Sequence, residues 1–159
     1  MLWRTHFLAG AAAGLLIAGN ADVKGAAISA SIAGIAALLP DLDDPKSKLG
    51  HLVAPASWAV KATVGHRGPL HSLLGVFAAT LVATILNHGS IAFASTVAVG
   101  CLSHLVMDSL NPQGVPWLWP YKKRIGLPLV QTGSILEKLF IMPAVLIICL
   151  SFGVTFFYG

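Results

Sequence analysis

Residues 91–109, IAFASTVAVGCLSHLVMDS, are apolar or small almost throughout and carry no charge before Asp108. A stretch of this kind approaches the roughly 20 apolar residues that a helix needs to cross a bilayer. It predicts a transmembrane helix with two ionisable side chains, His104 and Asp108, near one end. Four residues apart on a helix, the two project from one face with Cβ atoms about 5–6 Å apart. That spacing can hold one cation between an imidazole and a carboxylate.

The rest of the 159-residue chain has the same character: 56% hydrophobic, 10% charged, mean hydropathy +0.80. No ordinary soluble domain of this size has interior enough to hide so much apolar surface. The expected fold is all-α, an integral membrane bundle of about five short transmembrane helices with ligand-bearing loops on the cytoplasmic side, forming one domain over 1–159. The apolar segments are 6–19, 25–40, 70–87, 91–109 and 135–157. Asn20-Ala21-Asp22, a long loop, Asn87-His88-Gly89 and a second long loop separate them. The first two are short and rich in Ala and Gly, which suits close helix packing. Within the first long loop, Trp58 and Val60 around Lys61 predict a short interfacial helix over 54–64. Arg4, the apolar core after it and the small residues 18–21 also resemble a secretory signal, but a further span follows at once, so the segment reads as a retained first helix. Cys101 and Cys149 lie inside apolar segments without a CxxC spacing and read as small buried residues.

Charge sets the expected orientation. With five spans, Arg4, Lys46, Lys48, Lys61, Arg67, Lys122, Lys123 and Arg124 share one face and Lys24 lies on the other. By the positive-inside rule the first face is cytoplasmic, which predicts a multi-pass protein of the inner (cytoplasmic) membrane. The basic residues sit in short loops beside apolar segments, so topology accounts for the net charge of +4 and no nucleic-acid partner is expected.

On this map the ionisable residues fall at that same end. His6 opens span one, Asp41, Asp43 and Asp44 close span two, His66 and His71 lead into span three, His104 and Asp108 close span four, and Glu137 opens span five. Alternate helices run in opposite directions, so topology alone gathers them. Taken singly, DLDDP could be a turn with a solvated acidic cap and His104/Asp108 a neutral hydrogen-bonded pair tying helices together; His88 reads as a loop residue and His51 as no ligand. Several ionisable groups converging near membrane depth read as a shared site. Pro69 suits a helix first turn, which would put His71 at the positive end of a dipole and keep it neutral. Asp41 and Asp108 sit near helix C-termini, where a bound cation would relieve the dipole's effect on an anion. Mixed imidazole and carboxylate without thiolate points to a divalent metal of the Zn²⁺ type, one or two ions, with Mn²⁺ or Fe²⁺ possible and Mg²⁺ or Ca²⁺ a poor match. The candidate ligands are His6, Asp41, Asp43, His66, His71, His104, Asp108 and Glu137.

RTHFLAG (4–10), LPDLDDPKS (39–47), HRGPLHS (66–72), SHLVMDSLNPQGVPWLWPYKKR (103–124) and TGSILEK (132–138) together resemble, in order and over nearly the whole chain, the YdjM-type family of membrane-bound metal-dependent hydrolases. The order of His, Asp, His and HxxxD is also similar, more distantly, to the zinc-dependent phospholipase C and P1-type nuclease superfamily. That likeness implies His6 on one metal and Asp41 or Asp43, His66 or His71, His104 and Asp108 around another. No histidine follows Asp108, so the later ligands of those soluble enzymes are missing and only Glu137 could stand in.

The expected function is hydrolysis of a phosphoester at the cytoplasmic membrane surface by a metal-activated water. Arg67 would hold the phosphoryl oxygens, and Asp43 or Asp44 would orient the water or take its proton. Trp117, Trp119 and Tyr121 beside Lys122, Lys123 and Arg124 predict an interfacial collar in contact with membrane lipids, which favours a phospholipid or lipid-linked phosphate as substrate; a topology anchor would look the same. The rival reading is a metal-binding membrane protein without catalysis, or a divalent-metal carrier. Carrier sites ordinarily lie near the midplane on broken helices, whereas these candidates crowd one edge.

Overall fold

The computed structural model of the chain describes residues 1–44, 47, 50, 51, 68–121 and 123–158. The interfacial helix expected over 54–64, the site candidates His66 and Arg67, and Lys122 lie outside the described residues. Among the described residues five α-helices form: α1 (Trp3–Ala18), α2 (Val23–Ala36), α3 (Leu73–Leu86), α4 (Ile91–Ser109) and α5 (Met142–Tyr158). Short 3-10 turns occupy Leu39–Asp43 and Pro69–His71, and a π turn, Glu137–Ile141, leads into α5. No strand occurs among the described residues, only an isolated antiparallel bridge between Val115 and Ile125 that pinches the second long loop. The fold is all-α. Three stretches, Val23–Asp43, Ile91–Ser109 and Glu137–Phe156, are long and apolar enough to cross a membrane. The 16 residues of α1 and the 14 of α3 fall short of the usual length, so the five expected spans appear as five helices, of which α4, and α2 and α5 together with their adjoining turns, have the dimensions of a span.

Local chemistry sets the boundaries. The Asp22 carboxylate accepts the Gly25 N–H at 2.8 Å and starts α2, while the Ser72 and Ser90 hydroxyls do the same for α3 and α4. Pro40 has no N–H to give the Ala36 carbonyl, so α2 stops at Ala36 instead of running to 40 and the chain tightens into a 3-10 turn. Pro143 likewise has nothing to give the carbonyl of Leu139, and the turn before it widens, Met142 N–H reaching back to Glu137 O.

α1 packs on α2, α4 and α5; α4 also contacts α2 and α3. Without a hydrophobic drive between helices in lipid, contact depends on close approach through small residues. α2 meets two backbones at Ala33. A Cβ at Gly10 of α1 would lie 2.5 Å from the Ala33 carbonyl oxygen, and one at Gly100 of α4 would also strike that oxygen. Towards the site end, Ala36, Val76, Val97, Cys101, Leu105 and Val115 form a contiguous apolar cluster.

Candidate metal centre

The glycine contacts place the site. His6 is one turn before Gly10, Ala37 one turn after Ala33, and His104 one turn after Gly100. Because α1 runs opposite to α2 and α4, all three steps lead to the same end of the bundle, about 6 Å from the contact point at 1.5 Å per residue. There the His6 and His104 rings stack with centroids 3.9 Å apart and an interplanar angle of 17°, and His71 meets His104 edge-on at 5.1 Å. All three imidazoles are buried, as are Asp43 and Asp108.

Two triads of potential ligand atoms result, His6/His104/Asp108 and Asp41/His71/His104, with the atoms of each triad within 4.8 Å of one another. His6 Nε2 is 3.3 Å from Asp108 Oδ1 and His71 Nε2 is 3.5 Å from Asp41 Oδ1. His104 Nε2 is 3.8 Å from both Asp41 Oδ1 and Asp108 Oδ2. Ligands about 2.0–2.2 Å from a tetrahedral ion stand about 3.3–3.6 Å apart, so these separations fit one with small adjustments.

The tautomers fit as well. His104 Nδ1 is 2.7 Å from the carbonyl oxygen of Ala37. A carbonyl only accepts, so Nδ1 carries the proton and the neutral ring turns the lone pair of Nε2 into the cluster. Nε2 is buried with no hydrogen-bond partner among the described residues, and so is Nδ1 of His6. Buried polar atoms are rarely left so, and a cation in the cluster would satisfy Nε2 of His104. Ala37 is free to accept because α2 ends at Ala36, where the last carbonyls have no intrahelical donors. His71 Nδ1 lies 3.2 Å from Asp43 Oδ2, which aims its Nε2 at Asp41. An outer carboxylate that orients a metal-binding histidine is a common arrangement. Asp43 thus occupies the outer position behind His71, and Asp44 follows the 3-10 turn outside both triads.

Three expectations are corrected. The Glu137 carboxylate is fully buried but stands outside both triads. Its Oε1 accepts from Leu2 N–H at 2.6 Å and Thr5 Oγ1 at 2.9 Å, and its Oε2 from Gly133 N–H at 2.7 Å. It caps α1, whose own N-cap residue Leu2 has no side-chain hydrogen bond to offer. His71 is not kept neutral by a helix dipole: it lies in the 3-10 turn ahead of the α3 cap. Burial pulls its pKa down, but the neighbouring carboxylates of Asp41 and Asp43 outweigh this and raise it to about 9. Trp117 does not join a collar; its Nε1 donates to Ser109 Oγ at 2.8 Å and its ring packs against the core, while Trp119 and Tyr121 are exposed. Sequence reasoning misses two further contacts: the α-amino group of Met1 donates to Asp108 Oδ1 at 2.6 Å, and the Ala37 carbonyl orients His104. No residue type signals a backbone acceptor, although Pro40 marks the helix end that supplies it.

The family profile described as YdjM inner membrane protein matches residues 1–158. The chain belongs to the YdjM family. Among its relatives, the inner membrane protein YdjM of Escherichia coli (strain K12) is 42% identical over 113 residues, 66% of this chain and 57% of that protein, and that of Shigella flexneri is equally similar. The chain thus matches little more than half the length of these two. YvsG of Bacillus subtilis (strain 168) is 30% identical over 158 residues, 98% of this chain and 97% of that protein. No solved structure matches. With its candidate membrane spans, this YdjM-family chain is a membrane protein whose His/Asp cluster could bind a metal ion.

Proposed function

We propose that the chain is a metal-dependent hydrolase acting on a phosphoester carried by a membrane lipid, with the His/Asp cluster holding a divalent ion of the Zn²⁺ type. The observation that carries this reading is His104, whose Nδ1 is taken by the Ala37 carbonyl so that Nε2 faces two carboxylates from a buried position. One lone pair serves one ion. The two triads share His104, so they describe alternative halves of a single centre rather than two full sites. When bound, the ion would supply the Lewis acidity that makes a hydroxide nucleophile available for phosphoester hydrolysis near neutral pH. The chain's own residues do the rest: Asp43 keeps His71 oriented, Asp108 and Asp41 bring negative charge to balance the cation, and Arg67 is assigned to the phosphoryl oxygens on its place in HRGPLHS.

Access favours a lipid. The Asp41 side chain is 20% exposed, against 3% or less for the other members of the two triads. Its neighbours Pro40 and Leu42, with Leu70 just before His71, line an apolar groove of ≈ 290 Å³ against Ala79 and Val82 of α3. A hydrocarbon chain laid there brings the attached polar group to the Asp41 edge of the cluster. The alternative is the same cluster binding metal without catalysis. Elemental analysis of purified, chelator-free protein combined with a phosphodiesterase assay on phospholipid vesicles separates the readings. Stoichiometric zinc with zinc-dependent turnover supports hydrolysis, zinc without turnover supports the alternative, and absence of any divalent metal overturns both.

A further inference from the structure

The face of α1 turned away from the cluster carries a second arrangement. Thr5 and His6 are buried, whereas Trp3 and Arg4 are exposed. Across from them, Met142, Pro143 and Leu146 of α5 complete a groove of ≈ 460 Å³ with Phe7 and Leu8. This groove lies where the π turn ends. Its wall is apolar apart from Arg4. The Arg4 guanidinium sits 5.6 Å from the Trp3 ring centroid and forms no ion pair among the described residues. A cation in the first turn of a helix opposes the dipole, so Arg4 does not serve α1 itself. Glu137–Phe156 is the most apolar of the three candidate spans and none of its most apolar window is buried in the protein, so the groove opens towards acyl chains. Trp3, at the end of its helix, is the amphipathic type that settles at headgroup level.

We propose that this groove binds one anionic phospholipid, with an acyl chain against Phe7, Leu8, Met142 and Leu146 and the phosphate at Arg4. Charge complementarity selects the occupant: an apolar trough ending in one cation that has no ion pair among the described residues, beside Trp3, matches a lipid whose net charge is negative. The bound lipid is a resident ligand separate from the metal cluster, and the inference stands whether or not that cluster is catalytic.

The test uses the full chain in detergent, titrated with phosphatidylglycerol or phosphatidylcholine bearing the same brominated acyl chains. Quenching of Trp3 is read as the difference between the wild type and Trp3→Phe. Phosphatidylglycerol is expected to half-quench at about fivefold lower lipid fraction, the preference one basic residue gives at a headgroup. Arg4→Gln should bring the two lipid curves together, Arg4→Lys should keep them apart, and neither should alter metal content. Arg4 is exposed, so neither variant threatens folding. Equal quenching by both lipids in the wild type, or a preference that survives in Arg4→Gln, would overturn the proposal; metal loss in Arg4→Gln would overturn its separation from the cluster.

Discussion

Adding one methyl group at Gly10 tests how the centre is built. A Cβ there would lie 2.5 Å from the Ala33 carbonyl oxygen and 2.6 Å from the Ala37 Cβ, whereas ordinary contact begins at 3.4 Å. Relief requires α1 and α2 to part by about 0.9 Å, since neither backbone can yield the way a flexible side chain can. Metal–ligand distances tolerate about 0.2 Å. His6 rides on α1 one turn away, and Ala37, the residue that orients His104, is itself struck. Gly10→Ala should therefore weaken metal binding about 10–100-fold, the usual range when the support of a ligand is disturbed, and cost about 1–3 kcal/mol of stability. Gly14→Ala is the control, because its Cβ would also lie 2.5 Å from a carbonyl oxygen, that of Ser29. Gly14 is two turns from His6, about 12 Å along the helix, so this variant should lose comparable stability and keep its metal. Competition against a chromophoric zinc chelator reads affinity, and thermal unfolding in detergent reads stability. If Gly10→Ala binds metal like the wild type, or Gly14→Ala loses as much affinity, the close approach at Ala33 does not set the ligand geometry.

Other perturbations separate the remaining parts. His104→Ala should abolish stoichiometric metal and, by leaving the buried Ala37 carbonyl without a donor, destabilise even the metal-free protein by about 1–3 kcal/mol; unchanged metal content would remove the centre as described. Metal-free protein should gain stability from His71 that is complete below pH 6.5 and disappears as pH rises through about 9. An incoming ion must displace that proton, so affinity should rise about tenfold per pH unit up to about pH 9, and a pH-independent affinity would show that His71 is no ligand. Glu137→Ala leaves the donors of Leu2, Thr5 and Gly133 unmet, so it should lower the melting temperature more than Glu137→Gln, which retains one acceptor oxygen. Loss of bound metal in the Ala variant with melting unchanged would instead point to direct ligation by Glu137.

Much of the fold is legible because lipid narrows the choices. An apolar chain with few charges must satisfy its backbone internally, and helices do so. Asn20-Ala21-Asp22 and Asn87-His88-Gly89 mark the tight turns, and in the second His88 and Gly89 take the left-handed conformation, φ 50° and 84°. Boundaries near proline are less legible. Pro40 and Pro143 both interrupt backbone pairing, yet one yields a 3-10 turn and the other a π turn. The acids in the two turns also reach in different directions: Asp41, just after Pro40, turns towards His71 and His104, and Glu137, ahead of Pro143, towards the start of α1.

The cluster is legible as a set and not as a set of roles. Position at one end of every helix is a property of topology, so His6, Asp41, His71, His104 and Asp108 can be gathered from the order of spans alone. Which carboxylate could ligate an ion and which one orients a histidine is decided by fractions of a turn. Asp41 and Asp43 are two residues apart in a 3-10 turn of three residues per turn, so they point to different sides of His71, one at each ring nitrogen. Glu137 carries the same signal in sequence as a ligand would: an isolated acid at the start of an apolar helix. Only the nearby N–H groups of Leu2 and Gly133 reveal that its negative charge answers the start of α1, and backbone donors from distant segments leave no mark on composition or spacing.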